Sequence, residues 1–270
     1  MAGSDDWPAQ PHRPPCHRRA VDACRLLVRL PMSRQLGLGR PPVGTVVWPS
    51  ASTWREWMEH YSAITSVSDL ERFGTPEPRN RDKVLEVLED VHVEWLAATS
   101  LVFMATASAD GSCDVSPKGD PPGFVRVLSP YQLAIPDRPG NRRMDGFHNL
   151  VENPHVGLIC LVPGRGDTLR VNGSAQLVTD LPGMDAMTIG RHRPSLALVV
   201  DVEEVFFHCP KPLRRARAWD AAAWRPDAVR SYADIALALW RRDQPADEVR
   251  RHYANTVERE DLYPPTAPPE

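Results

Sequence analysis

From residue 80 onward the apolar positions follow two clear periods. Between residues 80 and 96, Val84, Leu85, Val87, Leu88, Val91 and Trp95 recur at helical spacing with charges opposite, which predicts a surface helix. The period then drops to two. Residues 101–108 alternate as a strand, turn at Ala109-Asp110-Gly111, and pair with 113–117 as a hairpin. Residues 124–128 and 132–135 form a second hairpin about Ser129-Pro130-Tyr131. Residues 145–152 suit a short helix that stops before Asn153-Pro154.

Residues 156–162 are apolar on both faces, as a central strand would be. Residues 168–180 alternate cleanly: Leu169, Val171, Ala175 and Leu177 point one way, and Arg170, Asn172, Ser174 and Gln176 the other. A long final strand covers 196–208, and amphipathic helices follow at 228–241 and 247–259. Strands joined mostly by turns at a spacing of roughly 8–15 residues argue for an antiparallel barrel rather than βαβ units. The expected fold is mainly β (α+β): a six- or seven-stranded antiparallel barrel with flanking helices.

The ends of the chain read differently. Of its 28 prolines, eight lie in residues 1–57 and four in 264–269. Residues 1–57 also carry eight arginines against four acids, with one short amphipathic patch at 21–30. That composition predicts a disordered extension, or a start assigned upstream of a true start at Met58. The expected organisation is therefore an extension (1–57), a domain (58–263, core 99–219) and a proline-rich tail (264–270).

Charge and cysteine narrow the classes. A net charge of −3 argues against a general nucleic-acid binder, and the local excess on the extension is the only feature favouring one. No apolar run reaches the roughly 20 residues of a membrane helix. The 5 cysteines include no CxxC pair, which argues against a disulfide framework and for a reducing cytoplasm. His12, Cys16, His17 and Cys24 fit no zinc spacing, so no metal is expected.

Familiar nucleophile, zinc, P-loop and dinucleotide motifs are absent from the sequence. Two loops stand out instead. Asp114-Val-Ser-Pro-Lys-Gly-Asp-Pro-Pro122 offers a hydroxyl, a cation and accessible backbone groups together. Ile135-Pro-Asp-Arg-Pro-Gly-Asn-Arg-Arg143 carries three arginines and then opens a helix, where backbone N–H groups and Arg side chains suit a phosphate. Either loop alone could be a surface turn in an arginine-rich chain. Two of them after consecutive strands favour a site.

Four ordered segments resemble the pyridoxamine 5′-phosphate oxidase-like, FMN-binding split-barrel flavoproteins. They are DVSPKGDPPGFVRV (114–127), LAIPDRPGNRRMDGFHNLVENPHVGLICLVPG (133–164), TLRVNGSAQLVTD (168–180) and VEEVFFHCPKPLRRARAW (202–219). The resemblance implies a homodimer with two FMN molecules at the subunit interface. It places Val115, Ser116, Pro117 and Lys118 along the flavin ring, and Ile135, Pro136 and Asp137 on the ribityl chain. Gly140-Asn141-Arg142-Arg143 stands where the family has a Gly-Ser-Arg-Lys turn, so Asn141, Arg142 and Arg143 are implied on the phosphate. Lys211, Arg214 and Trp219 would approach the flavin of the other subunit. Arg170 and Gln176 are candidates for the ring edge.

One departure bears on the substrate. Pyridoxamine phosphate oxidases end in a basic, His-containing segment that clamps the substrate phosphate, whereas this chain ends Arg259-Glu-Asp-Leu-Tyr263 and then prolines. Vitamin B6 oxidation is therefore not expected. No acid, base or nucleophile compels attention, and His208 is the best catalytic candidate at its strand end. The leading expectation is an FMN-dependent oxidoreductase acting on a small molecule. A deazaflavin-dependent reductase, and a flavin- or haem-binding protein without turnover, remain open.

Overall fold

The computed structural model describes residues 61–259 and 262–264. The 1–57 extension, its 21–30 patch, the His12–Cys24 group and the tail beyond Pro264 lie outside the described residues. The chain divides into two units after Gly74. The described part of the first holds one short helix, α1 (Val67–Glu71), whose first turn is capped by Ser66 accepting from Asp69 N at 3.1 Å.

The second unit is built on seven strands: β1 (Leu101–Ala107), β2 (Cys113–Gly119), β3 (Arg126–Ser129), β4 (Gln132–Pro136), β5 (His155–Leu161), β6 (Thr168–Val178) and β7 (Ala197–His208). Its helices are α2 (Pro78–Arg81), α3 (Asp90–Ala98), α4 (Asp145–Glu152), α5 (Lys211–Ala216), α6 (Tyr232–Leu239) and α7 (Ala246–Arg259). Every strand pairing is antiparallel, in the order β2-β1-β5-β6-β7-β4-β3.

The expected barrel is corrected here: the sheet is open, with β2 at one edge and β3 at the other. Pro117 in β2 has no N–H to give a neighbouring strand, and β3 is only four residues long. The chain leaving β4 does not close the sheet. It runs into α4, which packs on β1 and β2 through a close approach at Gly146. A Cβ built there would lie 3.0 Å from Met104 Cε and 3.2 Å from Asp114 Oδ2. Asn149 Nδ2 adds a bond to Thr106 Oγ1 at 3.1 Å.

The helix expected over 80–96 is also corrected. Within it only residues 80–81, at the end of α2, and 90–96, in α3, are helical, because Leu85 exchanges two backbone bonds with Val205, at 3.0 and 2.7 Å. Leu88 N likewise donates to Pro130 O at 2.8 Å. Valines and leucines that match a helix period here instead extend along the sheet. The α3 helix then buries His92, Trp95 and Leu96. Trp95 Nε1 finds Cys160 O at 3.2 Å, and burial pushes the Cys160 thiol up to about 12, keeping it neutral.

One apolar face of the sheet forms the core, with Val102, Met104, Leu133, Leu158, Leu169, Val171, Val200 and Val205 at its centre. The alternation expected in β6 holds: Leu169, Val171 and Ala175 are buried, while Arg170 and Gln176 are exposed. The opposite face is partly bare. Phe103 pairs with Pro117 and with Ile159, and Ala105 pairs with Val115, and all five of these are exposed. A small separate core of Ala233, Ala236 and Val249 joins α6 to α7.

Candidate functional site

The two loops singled out from sequence meet in one cleft of about 790 Å³. Its walls include Val115, Ser116, Pro117 and Lys118 from β2, and Asp137, Asn141, Arg142 and Arg143 from the β4–α4 turn. The first turn of α4 adds Asp145, Gly146 and Phe147. The side-chain period of β2 explains the first set: Asp114, Ser116 and Lys118 are half-buried, while Val115 and Pro117 point to the exposed face. Lys118 Nζ sits 4.6 Å from the centre of the Phe147 ring, which holds the cation at the wall.

The turn is backbone-strained. Arg142 and Met144 both adopt left-handed φ, at 55° and 57°, a conformation costing roughly 1 kcal/mol or more per non-glycine residue. Asn141 Oδ1 steadies it by accepting from Arg143 N at 3.1 Å. Arg143 pairs with Asp145 at 2.6 Å, both exposed. No side-chain hydrogen bond or ion pair of Arg142 is found among the described residues.

Arg138, from the same turn, reaches inward. Its Nε donates to Asp120 Oδ2 at 2.7 Å, and the Asp120 side chain has no solvent exposure. Its Nη2 donates to Met187 O at 2.7 Å, while Nη1 is buried without a partner. Ser116 Oγ is the other buried side-chain atom lacking a partner among the described residues. Both belong to residues lining the cleft. Such orphans are rare in folded proteins, and they mark positions where a ligand group can complete the bonding.

Burial pushes the Asp137 carboxyl above the usual carboxylate range, opposed first by nearby Lys118, then by the Arg138 backbone N–H, His192 and the Arg138 guanidinium. A raised carboxyl adds stability that is complete below its ordinary value of 3.8 and is lost as pH rises through the raised value. Asp137→Asn, which cannot ionise, is therefore expected to melt above the wild type at pH 7. The two melting curves should converge as the pH falls toward 3.8. A difference that does not change with pH would refute this.

Other residues expected at the site lie elsewhere in the chain. Ile135 and Pro136 are buried in β4 and lead into the turn without lining the cleft. Arg170 lies 5.4 Å from the Phe206 ring centre on the exposed sheet face, and Gln176 is exposed beside Val199. His208 is exposed opposite Thr168. Lys211 and Arg214 lie on α5, and Trp219 Nε1 donates to Arg165 O at 2.6 Å, closing over the β5–β6 turn. None of these lines the cleft of its own chain.

The β2 strand, the arginine-rich turn and α4 all fall within residues 88–209, which match the family model described as pyridoxamine 5′-phosphate oxidase. Over this stretch, a little under half of the chain, the sequence is similar to the pyridoxamine 5′-phosphate oxidase-like family. No curated protein matches the sequence. Among solved structures, a candidate pyridoxamine 5′-phosphate oxidase from Lactobacillus delbrueckii is 25% identical, covering 45% of this chain and 95% of that one, at a TM-score of 0.36. HupZ from Group A Streptococcus is 17% identical, over 44% of this chain and 93% of its own, at 0.36. An FMN-binding protein from Syntrophomonas wolfei is 11% identical, over 58% and 95%, at 0.34.

Several cleft residues escaped the sequence reading. Arg138 had a signal: a charge between buried β4 and Pro139 must find a partner. His192, Ser195 and Pro264 had none, because only folding brings them to the turn.

Proposed function

We propose that this chain is an FMN-dependent oxidoreductase of the pyridoxamine 5′-phosphate oxidase-like family, acting on a small molecule. The observation that carries this reading is the meeting of strand β2 and the β4–α4 turn, both rich in polar and cationic groups, around one cleft. Its volume is in the range of sites for ligands of drug size. The donor set fits a phosphate-bearing, acceptor-rich cofactor: Arg142 and Arg143 for the anion, the buried Ser116 Oγ and Arg138 Nη1 for further acceptors.

In this reading Asn141, Arg142, Arg143 and the opening turn of α4 bind the phosphate. Asp137 accepts from ribityl hydroxyls, and the β2 backbone from Val115 to Lys118 orients the ring. Bound FMN supplies the hydride-accepting centre, so the chain need provide only binding, orientation and exclusion of water.

The exposed apolar face formed by Phe103, Ala105, Val115, Pro117 and Ile159 supports a homodimer, since contiguous apolar patches on single chains usually mark interfaces. In that dimer Lys211, Arg214 and Trp219 approach the flavin of the other subunit. Ile159→Asp, which buries a charge in such an interface, is expected to convert the dimer to a monomer in light scattering at micromolar concentration. A dimer of unchanged mass would place the interface elsewhere.

The test of the cofactor is a visible absorption spectrum of the purified protein, repeated on the supernatant after heat denaturation, with the released compound identified by mass. FMN supports the proposal. A deazaflavin or haem would replace it with one of the other cofactor classes. A colourless protein that also fails to bind added FMN would overturn it.

A further inference from the structure

The segment Leu262–Pro264, far along the chain from both loops, returns to the cleft. The Tyr263 hydroxyl donates to Asp120 Oδ1, the oxygen that Arg138 leaves open. The Arg138 guanidinium also lies 5.9 Å from the centre of the Tyr263 ring. One residue later, Pro264 O stands 2.8 Å from His192 Nδ1. A carbonyl only accepts, so His192 must carry a proton on Nδ1. Pro264 itself forms part of the cleft wall, beside Arg138 and His192.

These contacts differ from a simple tie-down of a chain end. Two of the groups that hold the segment, Arg138 and His192, line the cleft themselves. Arg138 is fixed by Asp120 and Met187, with Nη1 still unpaired, so the Tyr263–Asp120 bond helps set where a free donor stands. Removing the phenol leaves a buried carboxylate oxygen without its donor, the kind of loss that loosens a polar cluster.

We propose that Leu262–Pro264 is a strap closing one end of the cleft, with Tyr263 as the positioning residue that locks it to Asp120 and Arg138. The part of this concerning ligand retention rests on the cleft reading above. The strap and the bound small molecule then stabilise one another, because both depend on the same fixed Arg138.

The experiment compares the full-length wild type with Tyr263→Phe and Tyr263→Ala, using FMN as the probe. Two quantities are read: the rate of flavin fluorescence recovery on dilution, and hydrogen exchange of peptides spanning 137–147 and 190–196, with β5 as control. Tyr263→Ala is expected to release FMN at least about tenfold faster, the equivalent of one charge-assisted hydrogen bond. Tyr263→Phe, which keeps the ring on Arg138, should fall between. Exchange should quicken at 137–147 and 190–196 but not in β5. If Tyr263→Ala holds FMN as long as the wild type, within about twofold, the strap is overturned. If the wild type binds no FMN, the flavin reading fails and exchange alone decides. Faster exchange at the cleft peptides then upholds the strap, and unchanged exchange removes it.

Discussion

Arg142→Ala combined with Arg143→Ala is expected to yield a folded protein that has lost its phosphate-bearing cofactor, with FMN affinity down at least about a hundredfold. Each side chain would give charge-assisted bonds to a dianion, and each sits on the turn that opens α4. Folding should be spared. Arg143–Asp145 is an exposed ion pair, of a kind that contributes little, and alanine accepts the left-handed position of residue 142 no worse than arginine does. Equilibrium dialysis against FMN measures the first effect and thermal melting the second. Undiminished FMN binding in the double variant would move the phosphate away from this turn.

Gly173→Ala should act in the opposite way, on the fold rather than the ligand. At this point β6 advances one residue, from Asn172 to Gly173, while its partner β7 passes from Glu204 to Val202. Glu203 is the extra residue of a bulge, and the bulge brings the β7 backbone onto Gly173. A Cβ there would stand 1.9 Å from Asp201 O and 3.0 Å from Asp201 C. Main chain in the middle of a paired sheet cannot swing aside as a side-chain tip can. The expected loss is more than about 4 kcal/mol, most of the stability of an ordinary domain. Denaturant unfolding would show it, or the variant would fail to fold at all. A melting temperature within about 3 °C of the wild type would mean that the two strands pair differently at the bulge.

The sequence was informative where side-chain period and covalent chemistry act locally. Alternation in 168–180 located β6 and its two faces, and Asn153-Pro154 marked the end of α4. The two halves of the cleft were legible because Ser116-Pro117-Lys118, within β2, and Asn141-Arg142-Arg143, in the β4–α4 turn, each concentrate polar and cationic groups in a short stretch. What failed depended on distant partners. Val84, Leu85 and Leu88 fit a helix period, but backbone bonds from Leu85 to Val205 and from Leu88 to Pro130 outweigh local preference. Closure of the sheet could not be read from turns, since it depends on whether the outermost strands meet. The Asp120–Arg138–Tyr263 cluster joins three remote segments that share no pattern.

The open sheet also constrains how copies of this chain can meet. An unpaired edge is a template on which another strand can grow, and uncontrolled growth of that kind leads to aggregates. Both edges here are blunted: β2 carries Pro117, and β3 is four residues long with an irregular register between Val127 and Ser129. Copies are thus steered away from zipping edge to edge into a continuous ribbon. The bare apolar face, in contrast, offers side chains rather than backbone groups. If copies pair through that face in the homodimer proposed above, a two-fold axis closes the assembly at two subunits, and it cannot extend into a fibre.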